Sequence, residues 1–259
     1  MSAPPDRGRL FLVPTPLDHG CEPQVPLTDV LPHGTVAQAA ALTHWISENA
    51  RSTRAFLKRV DALVPLSQPI QAHHIVELPR DVHKKGDHLP SGGWDARPLL
   101  APALQGHDMG LVSEAGMPAV ADPGSSVVRA AHALGIEVVP LVGPVSLLLA
   151  LAASGLNGQD FAFTGYLSQD SAERARQIQD MGRTVQKTGQ TRILIETPYR
   201  NQALLGALVA GLEPSLRLAV ATGLTLPQAH TRSASVADWR RGAMTVENKV
   251  PAVFLVGRG

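Results

Sequence analysis

Short apolar runs alternate with amphipathic segments through the first half of the chain. The apolar runs predict five strands, at residues 9–13, 45–47, 70–78, 110–113 and 136–141. Residues 35–43 and 51–60 have apolar positions at helical spacing and predict helices. Strands buried on both faces are continuously apolar, and parallel neighbours need crossover helices. This half therefore predicts a mostly parallel five-stranded sheet with helices on both faces.

The best-defined unit of the pattern begins at residue 110. A strand at 110–113 leads into a turn-rich loop at 114–124, a helix at 125–134 and the strand at 136–141. This is the order of a βαβ unit, for which parallel pairing and a right-handed crossover are expected. An apolar helix is predicted next, at residues 145–153.

The second half has fewer segments that could serve as crossover helices. Its strand candidates are residues 161–167, 192–196, 216–221, 231–236 and 252–256, and its helix candidates are residues 171–181 and 201–212. Its sheet is therefore predicted to be mixed. The expected fold class is α/β with two α/β domains, of residues 1–143 and 144–259, divided near Gly143.

Residues 90–102 have no hydrophobic periodicity. They contain two Gly and three Pro, which is typical of a surface loop. Such a loop is either a lid or a plain insertion.

Composition narrows the possible partners and the compartment. Lys and Arg number 23 against 22 acidic residues, so no broad basic surface is available for nucleic acid and any RNA contact must be local. Cys21 is the single cysteine, which excludes an intramolecular disulfide and fits a reducing compartment. The apolar stretch 138–153 is broken by Pro and Gly, and residues 1–9 are too polar for a secretory signal. We therefore expect a cytoplasmic protein without a membrane span.

The loop that follows the strand at 110–113 has the residues of a ligand-binding segment. Gly116 and Gly124 permit close backbone approach, and Glu114 and Asp122 supply carboxylates that can accept hydrogen bonds. At the carboxyl end of a parallel strand, before a helix, such a loop can meet a ligand. Asp122 has two interpretations of equal weight, as a cap of the helix that begins near Ser125 and as a ligand contact.

Other chemical signatures are absent. Residues 106–110 lack the spacing of a dinucleotide fingerprint, no phosphate-binding P-loop occurs, and Ser146 lacks the second glycine of a nucleophile elbow. The candidate metal ligands would be His73, His74, His83 and His88. Adjacent histidines on a strand point to opposite faces, so no metal site is predicted.

Five sequence blocks carry a family resemblance that spans nearly the whole chain. They read LVPTPL at 12–17, SENARST at 47–53, LVSEAGMPAVADPG at 111–124, FTGYL at 163–167 and ETPYR at 196–200. In this order they resemble the tetrapyrrole methylase superfamily, and most of all its ribosomal RNA small-subunit methyltransferase I branch.

The resemblance implies a class III methyltransferase fold, commonly homodimeric, that binds S-adenosyl-L-methionine (SAM) as methyl donor in the cleft between its domains. The positions that it assigns to the donor are Pro14, Glu114, Ala115, Gly116, Pro118, Asp122, Ser146, Gly165, Tyr166, Leu167, Glu196, Pro251 and Ala252. Pro251 and Ala252 also fit a simple strand start.

The chain departs from the branch at several positions. Asp18-His19-Gly20 stands for G-N-L, Asn49-Ala50 for D-T, Glu114 for Asp, Met117 for Thr, and Tyr199 for His. Glu114 keeps a carboxylate. Asn49 replaces a carboxylate expected to face the methyl acceptor, and an amide cannot act as a base.

The acceptor implied by the resemblance is a ribose hydroxyl of small-subunit ribosomal RNA. A hydroxyl is a poor nucleophile at neutral pH, and the candidate general bases are Glu48, Asp18 and His19. The candidate RNA contacts are Arg51, Arg54, Lys58 and Arg59, three or four residues apart on one helix.

Three other functions compete with this interpretation. The protein could methylate a tetrapyrrole or another small molecule, or it could bind SAM as a non-catalytic sensor with a changed acceptor side. A purely nucleotide-binding regulator would explain the glycine-rich loop but not the blocks in the second half.

Overall fold

The fold is described from a computed structural model covering residues 7–18, 21–79, 87, 94–242 and 245–259. The chain divides into two compact units. The N-terminal unit consists of Met1–His19 and Val25–Val145, and the C-terminal unit consists of Gly20–Gln24 and Ser146–Gly259. Among the described residues, no helix combines the length and apolar character needed to cross a membrane.

The N-terminal unit contains a five-stranded, fully parallel sheet. Its strands are β1 (Leu10–Val13), β2 (His44–Ser47), β3 (His74–Glu77), β4 (Met109–Val112) and β5 (Val138–Pro140). They lie in the order β3-β2-β4-β1-β5. Every paired neighbour runs parallel, as the buried apolar runs predicted.

Alternate residues of these strands feed two separate hydrophobic cores. Phe11 and Trp45 point to one core, whereas Leu10 and Ile46 point to the other. Gly110 leaves room for the Trp45 ring, because a Cβ there would lie 2.5 Å from that ring. A strand alternates its side chains between faces, so the sheet is covered on both.

Helices on each face supply the rest of these two cores. The helices are α1 (Leu27–Val30), α2 (His33–Ala41), α3 (Ala50–Asp61), α4 (Ala101–Leu104) and α5 (Ser125–Ala133). Side chains of α1, α2 and α3 pack in the core of Phe11, and side chains of α4 and α5 pack in the core of Leu10. The prediction of helices on both faces is confirmed.

The C-terminal unit contains a mixed five-stranded sheet. Its strands are β6 (Phe161–Gly165), β7 (Thr191–Ile195), β8 (Arg217–Thr222), β9 (His230–Ser235) and β10 (Ala252–Gly257), in the order β6-β7-β10-β8-β9. Strand β6 pairs parallel with β7, and the other pairs are antiparallel. The predicted mixed sheet is confirmed.

Helices also cover this second sheet. They are α6 (Ser146–Ser154), α7 (Ser171–Thr188), α8 (Asn201–Gly211) and α9 (Val236–Arg241). Phe254 and Val256 of β10 share a core with side chains of α7, α8 and α9. Helix α6 also packs against β10.

Proline and glycine misled several local predictions. Within 90–102, the part from residue 94 is not a plain loop: Arg97–Leu100 is a 3-10 helix that leads into α4, while residues 90–93 lie outside the described chain. Pro98 and Pro102 occupy first-turn positions, where a missing N–H costs nothing.

Other element boundaries also moved. Ile70–Ala72, predicted as part of a strand, is a 3-10 turn, and pairing starts only at His74. Helix α7 runs past its predicted end at Met181, because Val185 is buried one turn further on and the helix ends only at Gly189, which has a left-handed conformation. Helix α9 was not predicted, and it begins where the Ser235 side chain caps the Asp238 N–H.

Candidate functional site

The carboxyl ends of three adjacent parallel strands place acidic side chains along one edge of the N-terminal sheet. Val112 of β4 is level with Ser47 of β2, and Ser47 is level with Glu77 of β3. Glu48 follows directly after β2. Glu114 lies two positions after the end of β4, directly after Ser113. Parallel strands end at the same edge of a sheet, which is where ligands bind in this class of fold.

The loop after β4 is fixed to the loop after β1 by a pair of backbone hydrogen bonds. The N–H of Thr15 donates to the carbonyl of Gly116, and the N–H of Gly116 donates to the carbonyl of Thr15, both at 3.0 Å. Gly116 has a φ of +82°, which side-chain-bearing residues rarely adopt. A Cβ there would also lie 3.0 Å from Leu17, so the structure itself requires glycine.

Glu48 connects the ends of β2 and β4. Its N–H donates to the carbonyl of Val112 at 3.1 Å, and its Oε2 accepts from the N–H of Glu114 at 3.1 Å. Glu114 itself is exposed. This hydrogen bond brings the candidate base Glu48 and the candidate donor residue Glu114 together.

Asp122 joins these two residues in one acidic cluster. We call Glu48, Glu114 and Asp122 the acidic edge. Burial, reinforced by the charges of Glu48 and Glu114, raises the pKa of Asp122 to about 7, although the nearby Ser113 hydroxyl acts in the opposite direction. Asp122 is therefore poised to exchange a proton near neutral pH.

Asp87, a residue that the sequence did not single out, caps helix α5. Its carboxylate accepts from the N–H of Gly124 and from both the N–H and the hydroxyl of Ser126, at 2.7–2.9 Å, and from the Ser125 hydroxyl at 2.8 Å. Burial by itself raises the pKa of Asp87, but these hydrogen bonds together lower it below the ordinary value. The capping role considered for Asp122 thus belongs to Asp87.

Asn49 caps helix α3. Its Oδ1 accepts from the N–H of Arg51 at 2.9 Å and from the N–H of Ser52 at 3.4 Å. Glu77 assists by accepting from the N–H of Ala50 at 2.7 Å. Asn and Asp cap helices about equally well, so the departure from the family's acidic residue preserves this local structure.

Asp18, one of the candidate bases, is engaged in an ion pair. Its buried Oδ2 accepts from Nη1 of Arg59 at 2.8 Å. Arg59 also donates to the carbonyl of Val25. This ion pair ties the loop after β1 to helix α3. His19, the third candidate base, lies outside the described residues.

Helix α3 carries a basic face toward solvent. Its apolar positions, Phe56 among them, are buried in the core. Arg51, Arg54 and Lys58 are exposed on the opposite side. Arg59 is turned toward Asp18, so it is separated from the other three cations. We call Arg51, Arg54 and Lys58 the basic face.

Loop packing explains most of the small residues assigned to the donor in the N-terminal unit. Pro14 and Pro118 are buried and Ala115 is half-buried. A Cβ on Gly143 would lie only 2.3 Å from Pro14, so the loops after β1 and β5 approach closely. Pro14, Pro118 and Ala115 therefore shape the backbone of these loops and supply no polar side chains.

In the C-terminal unit, β6 ends in an open glycine. Gly165 has a φ of +79°, and a Cβ there would meet no heavy atom within 4 Å. Tyr166 is largely exposed, whereas Leu167 is buried in the core of α7, α8 and α9. Leu167 can therefore contact a ligand only through its backbone.

The remaining assigned residues of this unit are held by local contacts. Ser146 begins α6 and is half-buried. The buried Glu196 carboxylate accepts from Arg200 at 2.7 Å. Pro251 accepts from the N–H of Gly223 at 2.9 Å, and Ala252 begins β10, which agrees with a strand start.

Asn201 is a fully buried residue that the sequence analysis missed. Its Nδ2 donates to the carbonyl of Val250 at 2.8 Å and so fixes the approach to Pro251. Its Oδ1 has no hydrogen-bond partner among the described groups. The only available sequence signal was its place next to the ETPYR block.

Among the described residues, the candidate histidines make other contacts. His73 is buried and accepts from the Trp45 indole at 3.2 Å, while its neighbour His74 is exposed. His83 and His88 lie outside the described residues. Within the described ranges, no group of three or more His, Cys, Asp or Glu side chains could hold a metal ion.

Comparison with known proteins identifies the family. The family model of the Tetrapyrrole (Corrin/Porphyrin) Methylases matches residues 35–239. The chain belongs to the tetrapyrrole methylase family. In fold, it is similar to the methyltransferase CobJ, with a TM-score of 0.58 and 19% identity over 97% of this chain and 95% of the other.

Several curated relatives carry the name ribosomal RNA small subunit methyltransferase I. The protein of that name from Pseudomonas aeruginosa is 35% identical over 74% of this chain and 58% of its own length. The one from Escherichia coli O157:H7 is 31% identical over 86% of this chain and 68% of its own length. The chain spans only 44–58% of the first three such relatives.

Proposed function

We propose that this protein is a SAM-dependent methyltransferase that methylates a ribose 2′-hydroxyl of small-subunit ribosomal RNA. Family membership and the name shared by the curated relatives support both the reaction and the acceptor. The observation that carries the proposal is the acidic edge, held together at the carboxyl ends of parallel strands by the Glu48–Glu114 hydrogen bond. A homodimer stays a prediction of the family resemblance, and a cytoplasmic location stays a prediction of the composition and the amino-terminal sequence.

The charge of the acidic edge fits the donor. SAM supplies a methyl group activated by a positively charged sulfonium, and it also carries an ammonium group. The carboxylates of Glu48 and Glu114 complement such positive charge. The Thr15–Gly116 backbone bridge keeps the loop that carries Glu114 in place.

Gly165 supplies the matching feature of the C-terminal unit. Its bare backbone faces open space, so a flat or extended ligand can approach closer than any side chain would allow. The exposed Tyr166 beside it can cover apolar parts of a ligand. We assign this strand end to donor binding.

The basic face gives the acceptor a local binding surface. Arg51, Arg54 and Lys58 are exposed on α3, whose first residue follows Asn49 at the end of the β2 strand. The formal net charge is only +1, so phosphate contacts must come from such a local group. The basic face thus lies within a few residues of the acidic edge along the chain.

Calorimetric titration with SAM tests donor binding, with two glycine variants as a matched pair. Gly165 and Gly155 both have positive φ, and a Cβ at either position would meet no heavy atom within 4 Å, so valine imposes a similar backbone strain at each. We expect Gly165→Val to lose most SAM affinity and Gly155→Val to bind like the wild type. No heat from millimolar SAM with the wild type would refute the donor assignment.

A methyl-transfer screen then tests the acceptor. Radiolabelled SAM is incubated with unmodified small ribosomal subunits, naked ribosomal RNA and a uroporphyrinogen-type tetrapyrrole in separate reactions. We expect label in the RNA of assembled subunits. Label only in the tetrapyrrole would show that the protein is a methyltransferase with a different acceptor. SAM binding without label in any acceptor would indicate a sensor.

A further inference from the structure

Asp122 lies at the acidic edge. None of the contacts described above gives its carboxyl a structural role. The helix that follows it is capped by Asp87 rather than by Asp122. Asp122 is only partly buried, so a ligand can reach it. On the basis of the proposed function, we propose that Asp122 is the general base that takes the proton from the acceptor hydroxyl.

Glu48 and Asp18, the other candidate bases among the described residues, are engaged in contacts. The Glu48 carboxylate accepts from the Glu114 N–H, which holds the donor loop. Asp18 is buried against Arg59. Asn49 uses its amide oxygen to cap α3, and an amide has no basic site. Among these residues at the strand ends, Asp122 combines access with a carboxyl that is not committed to the fold.

Ser113 provides a second feature that points to a ligand. Ser113 is 5% exposed, and its Oγ is not in hydrogen-bonding geometry with any described group. The hydroxyl nevertheless lies near enough to Asp122 to lower that carboxyl's pKa. Leaving a buried polar atom without a hydrogen bond costs free energy. Binding of an acceptor that forms hydrogen bonds with the Ser113 hydroxyl and the Asp122 carboxyl would therefore be favoured.

The surrounding charges suit Asp122 to this task. Glu48 and Glu114 are the charged groups that act on it, and together with burial they raise its pKa to about 7. A general base is most effective when its pKa is near the working pH, because it is then both available and sufficiently basic. A carboxylate with an ordinary pKa would be a far weaker base.

The reaction balances with Asp122 as the proton acceptor. The hydroxyl oxygen forms a bond to the methyl carbon, the carbon–sulfur bond breaks with its electron pair left on sulfur, and the hydroxyl proton passes to the Asp122 carboxylate. The products are a methyl ether, a neutral thioether and a protonated Asp122. The carboxyl then releases its proton to water before the next turnover.

The test is the pH dependence of kcat on small ribosomal subunits at saturating SAM. We expect the wild-type rate to rise with pH and level off above about pH 7. Asp122→Asn should lower kcat by about 10²–10⁴-fold and remove this dependence. Its SAM affinity, measured by calorimetry, should stay within about threefold, which separates proton transfer from donor binding.

Two further variants should move the pH dependence without removing it. Glu48→Gln takes away a neighbouring negative charge, so the midpoint should shift to lower pH. Ser113→Ala removes a hydroxyl that favours the ionised form of Asp122, so the midpoint should shift to higher pH. A variant that merely damaged the fold would lower the rate at every pH and leave the midpoint in place.

Several results would overturn the proposal. If Asp122→Asn keeps the wild-type rate or pH dependence, Asp122 is not the base although the methyltransferase assignment stands. If Glu48→Gln instead abolishes the rate and the pH dependence, Glu48 is the base. If the wild type transfers no label to small subunits, the proposed function fails and this inference fails with it.

Discussion

The Asp87 carboxylate accepts hydrogen bonds from both the N–H and the hydroxyl of Ser126, at 2.9 and 2.7 Å. Thirty-nine positions separate the two residues along the chain. Gly124, at the N-cap position, has no side chain to accept these hydrogen bonds, so a distant residue takes that role. Asp87 therefore fixes both the start of α5 and the end of the loop that carries Gly116 and Asp122.

Asp87→Ala should destabilise the N-terminal unit and loosen this loop. The loss of a helix cap costs about 0.5–2 kcal/mol, and several hydrogen bonds are lost here, so we expect the upper part of that range. Urea unfolding measures the change. Asp95→Ala is the control, because Asp95 is exposed and pairs only locally with Arg97; it should change stability by less than about 0.5 kcal/mol.

The Asp87 contribution should also depend on pH. Because its folded-state pKa is lowered, the stabilisation is present above the ordinary pKa of Asp and is lost as pH falls through the folded-state value. The difference in unfolding free energy between wild type and Asp87→Ala should shrink in acid. An unchanged difference at low pH would contradict the cap assignment.

Asp122→Asn should stabilise the protein at alkaline pH. The pKa of Asp122 is raised from 3.8 to about 7, so its contribution is fully present below the ordinary Asp pKa and is lost as pH rises through about 7. The gap between these values corresponds to at most about 4 kcal/mol. An amide carries no charge, so thermal unfolding should show the variant gaining on the wild type between about pH 4 and pH 7, with a constant difference above that range.

This measurement needs neither SAM nor RNA. The exposed Glu213→Gln serves as its control and should follow the wild type at each pH. If the difference in stability between Asp122→Asn and the wild type stays constant between about pH 4 and pH 7, the acidic edge does not act on Asp122 as described.

Three imidazoles stack at the amino end of the N-terminal sheet. The ring of His44 lies 4.8 Å from that of His74 and 4.7 Å from that of His107. Burial, followed by repulsion from His107, His74 and His73, lowers the pKa of His44. The neutral form is thus favoured in the folded protein, and its stabilisation is lost as pH falls below the ordinary His pKa.

His44→Gln should therefore lose less stability than the wild type between about pH 7 and pH 5. Denaturant unfolding at a series of pH values measures this difference. The exposed His132→Gln provides the control and should keep the wild-type slope. If His44→Gln and the wild type have the same slope, the stack does not resist protonation.

Removing two charges from the basic face should weaken RNA binding and flatten its salt dependence. Each lost phosphate contact reduces the slope of log K against log salt by about 0.7–0.9, so Arg51→Ala/Arg54→Ala should reduce it by up to about 2. SAM affinity should not change. Binding to small subunits at several salt concentrations gives the slope.

The control removes the same number of charges elsewhere. Arg176 and Arg183 are exposed on α7, where each pairs with an acidic residue three positions away. Arg176→Ala/Arg183→Ala should keep the slope of the wild type. Equal effects of the two double variants would show that net charge, rather than the basic face, governs binding.

The sequence by itself determined the sheets and the general place of the site. Continuous apolar runs such as Met109–Val112 are buried on both faces, and the residue types of such a run by themselves indicate this burial. Glu48 and Glu114 follow two such runs, so their meeting at one sheet edge was predictable once the strands were taken as parallel. The periodicity of apolar positions and the succession of elements along the chain follow from short-range rules.

Only the tertiary structure decided which side chains carry out which task. Whether Asp122 caps α5 depended on Asp87, whose distance along the chain leaves no local signal. Likewise, Arg59 resembles the other cations of α3 in sequence, yet it is turned inward by Asp18. Hydrogen bonds and charge interactions between distant residues depend on distances of a few ångströms, and periodicity along the chain does not encode those distances.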